Sequence, residues 1–196
     1  MKATIAKWSL RRQLAICAIF CALAAIVILL FQRKPTVSTL FQGLPLLDQF
    51  AVGVAAAALY WLATALGSRF ASRGKAAQHM AESFSRLDLR GWNPLWIAVA
   101  AGVGEELLFR GALQPLLGIW ITSILFVLAH IRAYRFDALN KRVLLQSISL
   151  FAVSVALGYS ALYAGLLTAM IIHVAMDIVG LFAVRRMTCT PPLAPT

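Results

Sequence analysis

Six apolar runs joined by short, mostly basic connections constrain this chain more than any other feature. They span roughly Gln13–Phe31, Phe50–Leu66, Pro94–Leu117, Ile119–Ile131, Val143–Leu157 and Ala161–Val184. A membrane-crossing helix needs about 20 predominantly apolar residues. By that measure the fourth run is short and the fifth marginal. The chain is 61% hydrophobic over 196 residues, with a mean hydropathy of +0.83, too apolar for an ordinary soluble domain. The expected fold class is all-α: one polytopic membrane domain of about six transmembrane helices over residues 13–184. Residues 1–12 form an N-terminal segment, and residues 185–196, with three prolines, form a tail expected to be disordered.

The net charge of +11 could point to nucleic acid, but the basic residues flank apolar runs instead of clustering. With both termini inside, fifteen Lys and Arg side chains face the cytoplasm and only Arg33 and Lys34 face out. That asymmetry predicts an integral membrane protein with cytoplasmic N- and C-termini. Its surroundings are then the lipid bilayer, with no nucleic-acid partner. The first run is too long for a signal-peptide core and is read as a retained helix. Cys17, Cys21 and Cys189 are not spaced as a disulfide pair or zinc cluster. Pro94 suits a first helical turn, Gly118 is the expected turn between runs three and four, and Gly158-Tyr159-Ser160 the turn between runs five and six. The connection over residues 67–92 admits a short interfacial helix or a solvated loop. His79 within it is read as an ordinary surface histidine.

Against this background, Glu105, Glu106, Arg110, His130, His173 and Asp177 lie inside apolar segments. A charge at mid-bilayer costs about 2.5–3.5 kcal/mol on insertion scales, so a buried polar site is expected. Glu106 and Arg110 are four apart and share a helix face, as do His173 and Asp177. Glu105 points about 100° away from Glu106, so the same arginine does not neutralise it. Counted from Gly118, Glu105 lies 13 residues before the turn and His130 12 after it, which puts both at about 18–20 Å from it. His173, about 12 residues into a helix beginning at Ala161, should reach similar depth. The polar site is therefore expected between helices three, four and six.

These elements resemble the CPBP family of intramembrane proteases, which includes the type II CAAX prenyl endopeptidases and relatives linked to bacteriocin processing or immunity. The family's signature stands here as Glu105-Glu106-x-x-x-Arg110, Phe126-x-x-x-His130 and His173-x-x-x-Asp177. The resemblance runs from about residue 92 to 184. It implies peptide hydrolysis within the membrane, most simply a bacterial inner (plasma) membrane. The implied substrate is a peptide or protein with a membrane-proximal cleavage site. Glu105 with His130 would activate a water, His173 and Asp177 would face the oxyanion, and Glu106 with Arg110 would support the site. Asp177 stands where the family's prenyl proteases often carry asparagine. An ionised carboxylate donates no hydrogen bond, so Asp177 is either protonated, or orients His173, or binds a metal. Zinc on His130, His173 and Asp177 or Glu105 is one option; Glu-water-His chemistry without a tightly bound metal is the preferred one.

Two other functions compete. One is a non-catalytic immunity or partner-binding protein of the same family; the other is an ion-coupled transporter, since intramembrane Glu and His also mark ion paths. The intact motif set argues against the first, and the absence of repeats or Gly/Pro-broken helix pairs argues against the second.

Overall fold

The computed structural model describes residues 8–32, 40–70, 84, 87–131 and 141–189. His79 and most of the basic connections lie outside these residues. The described chain is helical: α1 (Leu10–Phe31), α2 (Leu46–Phe70), α3 (Asn93–Glu106), a π-helical segment (Leu107–Leu113), α4 (Gln114–His130), α5 (Lys141–Tyr163) and α6 (Leu166–Cys189). Five stretches among the described residues are long and apolar enough to cross a membrane. The third, Asn93–His130, has 38 residues, about 57 Å if straight, nearly twice a bilayer's hydrocarbon core. It is not straight. Gly118, at φ 76° and ψ 170°, breaks α4, and the Phe109 and Phe126 rings lie 5.0 Å apart across the bend. Seventeen residues of continuous helix would hold them about 25 Å apart. The chain therefore doubles back, and the expected six-helix plan is recovered as five stretches with one folded into a hairpin.

The π-helical segment ends against a proline. Pro115 follows it within the first turn of α4 and has no N–H to give. The Gly111 carbonyl it would have capped accepts instead from Gln32 Nε2 at 2.9 Å, and Ala112 from the same nitrogen at 3.3 Å. A side chain at the end of α1 thus satisfies backbone that lipid could not.

One boundary differs from expectation. Helix α5 continues through Gly158 to Tyr163, and α6 begins at Leu166, not Ala161. The turn falls at Ala164–Gly165, where Gly165 takes φ +126°. Gly158 is a close-approach glycine: its Cβ would lie 2.9 Å from Gln114 Oε1 and 3.0 Å from Ile119. Gln114 Nε2 donates to the Gly158 carbonyl across this contact. His173 is therefore seven residues into α6, not twelve. Helix α6 also runs past Arg185 to Cys189; the rest of the tail lies outside the described residues.

The helices pack around α3 and α6, with α1 on α3 and the π segment, α2 on α6, and α5 between α4 and α6. The far end of the bundle is fastened by Gln49. Its Nε2 donates to the Phe41 and Leu44 carbonyls, its Oε1 accepts from Leu167 N, and its own carbonyl accepts from Thr168. At the opposite, basic end, Trp8 pairs with Leu87, and Arg185 donates to the Gly91 carbonyl at 2.7 Å. Leu89, Ile97, Ala98, Leu181 and Val184 make a small apolar core beneath that end.

Candidate functional site

Two glycines let the helices meet closely enough to build a site. At Gly102 a Cβ would fall 2.5 Å from Val174 of α6, and at Gly104 one would fall 2.9 Å from the Cys17 carbonyl of α1. Helix α3 is wedged between α1 and α6 at the turn that presents Glu105 and Glu106.

Glu106 is fully buried. Its Oε1 accepts from Arg110 at 2.9 Å and meets His173 Nδ1 at 2.7 Å. Arg110 in turn donates to both the carbonyl and the hydroxyl of Ser154 on α5, each at 3.0 Å. One continuous chain of hydrogen bonds, Ser154–Arg110–Glu106–His173, therefore ties α5, the π segment, α3 and α6 together. The guanidinium also lies over the Phe126 ring, 4.7 Å from its centroid, a favourable cation–π position.

Glu105 faces the other way, as its 100° offset requires. Its Oε2 is 3.4 Å from His130 Nε2 and 3.9 Å from His173 Nε2, and makes no direct hydrogen bond within the described structure. Both imidazoles are oriented from behind. His130 Nδ1 lies 2.8 Å from the Phe126 carbonyl, to which it donates, and His173 Nδ1 donates to Glu106. In their neutral forms both rings then turn an Nε2 lone pair toward the Glu105 oxygen. The Glu105 oxygen, facing two such nitrogens and without a partner among the described residues, calls for a donor such as a water or a proton. Phe126 fixes the spacing: its ring stacks on His130 at 4.3 Å and meets His173 edge-on at 6.2 Å.

Asp177 lies at the rim. Its Oδ2 is 3.8 Å from His173 Nε2, beyond hydrogen-bonding distance, and its side chain is 35% exposed. All six residues singled out from the sequence are thus brought together, but the partner that orients His173 is Glu106 and not Asp177. Zinc ligands at about 2.0–2.1 Å in a tetrahedron lie about 3.4 Å from one another. The Glu105–His130 spacing matches, but the His173 spacings of 3.9 and 3.8 Å are wider. No three described His, Cys, Asp or Glu side chains form a metal-holding group.

Residues 89–179 match the family model of the type II CAAX prenyl endopeptidase Rce1-like proteins. The similarity covers 91 of the chain's 196 residues. It runs from the last residues before α3 to two residues past Asp177 and holds every residue of the three motifs. At a coarse level the match and the apolar helices support a membrane protein related to a protease family. No curated protein and no solved structure shows significant similarity to the chain.

Two contributors were missed in the sequence. Ser154 looks like one more small residue in an apolar run; only the helix arrangement shows that Arg110 reaches it. Phe126 was legible as a motif letter, but its role as the surface on which both rings and the guanidinium rest was not.

Proposed function

We propose that the chain is an intramembrane endopeptidase of the CAAX-protease-like type, using a water activated by Glu105 and His130. The observation that carries this reading is the convergence of two imidazole Nε2 atoms on Glu105 Oε2, at 3.4 and 3.9 Å, with the three groups contributed by three helices. A water there hydrogen-bonds to Glu105 and His130. Glu105 takes one of its protons as the water oxygen attacks the scissile carbonyl. The new C–O bond forms and the carbonyl becomes an oxyanion. With both ring nitrogens protonated, His173 gives Nδ1–H to Glu106 and Nε2–H to that oxyanion. Glu105 then returns its proton to the leaving amine as the C–N bond breaks.

Glu106 and Arg110 hold His173 in place, and Asp177 faces the same ring nitrogen from the rim. Each step runs through this chain's own residues, with no tightly bound metal. The substrate is a peptide or protein whose cleavage site lies close to the membrane surface, on the side carrying both termini. By charge asymmetry that side is the cytoplasm, and the plasma membrane of a bacterium is the expected setting.

The test is hydrolysis of membrane-tethered fluorogenic peptides by the full chain in lipid vesicles. Cleavage by the wild type that is lost in His130→Ala, with the fold retained, supports the reading. Equal cleavage by both removes it.

A further inference from the structure

The groups of the site are unequally covered. Side-chain exposure is 0% at Glu106, 10% at His173, 13% at Glu105, 17% at His130 and 35% at Asp177. The site therefore opens on the Asp177 side, one helical turn from His173 toward the basic end.

Two helices that do not bear the motifs flank that opening. Helices α2 and α6 run in the same direction, and Gly53 packs against Ile171, with a Cβ placed there 2.9 Å from the Ile171 Cβ. Seven residues further along, two helical turns on both helices, Tyr60 comes level with Ile178 and its neighbour Asp177. From the other side, the α1 backbone at Cys17 packs against Gly104, the residue before Glu105. Yet α1 rests on α3 and the π segment while α2 rests on α6, and no extensive packing joins α1 to α2 among the described residues.

We propose that an extended peptide reaches the catalytic groups through the cleft between α1 and α2, passing over Asp177, and that Tyr60 is the specificity-determining residue of this entrance, with Cys17 on the facing wall. This rests on the peptidase reading above. A scissile peptide must leave helical hydrogen bonding to offer its carbonyl, and the freed backbone groups need partners away from water. Tyrosine supplies both an apolar ring against the chain and a hydroxyl for one backbone group.

The full chain in vesicles, assayed with a panel of membrane-tethered peptides, tests this. Tyr60→Ala raises KM by about tenfold or more for the preferred peptide, leaves kcat nearly unchanged and alters the order of preference. Tyr60→Phe restores most of the lost affinity. A photo-cross-linking phenylalanine analogue at position 60 in the Glu105→Gln background captures peptide, whereas the same analogue at lipid-facing position 124 does not. Unchanged KM and preference in a folded Tyr60→Ala protein overturn the proposal. So does capture at 124 in place of 60, or capture only of lipid at 60. If peptide is captured at 60 but never cleaved by the wild type, the entrance stands and the peptidase reading falls.

Discussion

Glu106 and His173 stand 67 residues apart in the chain and 2.7 Å apart in the fold. This bond divides the paired glutamates by role. Glu106, with Arg110 and Ser154 behind it, fixes one imidazole, while Glu105 faces both imidazoles.

The first prediction follows from that division. Glu106→Gln keeps the shape of the side chain but removes the charge that orients His173, and lowers kcat by about 10–100-fold, the scale of lost orienting partners. Asp177→Asn, whose carboxylate sits 3.8 Å from the ring, lowers it by less. Steady-state kinetics on the same peptide check the order of the two.

Arg110 is 4% exposed and answers a buried carboxylate. Breaking a buried pair by removing one partner costs about 3–5 kcal/mol, so Arg110→Met destabilises the protein by that much in detergent unfolding. Arg110→Lys fails to rescue it, because an ammonium has no planar fork with which to serve Glu106 and Ser154 together. The double change Glu106→Leu with Arg110→Met recovers stability but not hydrolysis.

Gln49 is fully buried and joins two turns of the far end through side-chain hydrogen bonds to Phe41, Leu44 and Leu167. Gln49→Ala leaves those backbone groups unpaired and lowers stability by about 1–3 kcal/mol. Activity measured well below the melting temperature stays close to wild type, because the latch is remote from the site. Thermal melts and initial rates on one preparation separate the two effects.

Glycine positions give a paired comparison. Gly102→Val pushes α3 away from Val174 of α6 and lowers kcat, because it widens the gap between Glu106 and His173. Gly180→Ala, where an added Cβ meets nothing within 4 Å, is neutral or slightly stabilising, as expected for glycine replaced within a helix. Loss of activity in both variants would deny the close approach its special role.

Much of this architecture was legible because membranes leave few options. Apolar length located the helices, Gly118 marked the hairpin, and ionisable residues in apolar runs marked the groups that the fold brings together. Gly158 misled because a glycine beside Tyr and Ser has the composition of a turn, whereas its actual use is to admit Gln114 and Ile119; long-range packing decides that, and no local pattern reports it. The partner that holds His173 was hidden for a related reason. The i,i+4 spacing to Asp177 is visible in one helix, while the shorter bond to Glu106 crosses between two. The donation from Gln32 to the carbonyl freed by Pro115 is likewise invisible until α1 is placed.

The account depends most on Glu105 as the base for a water shared with His130. The direct measurement is the rate of peptide cleavage by vesicle-reconstituted Glu105→Gln protein whose melting temperature matches wild type. The expected result is a fall in kcat of about 10²–10⁴-fold, the usual contribution of a positioned acid–base group, with KM little changed. A kcat within a few-fold of wild type would contradict it.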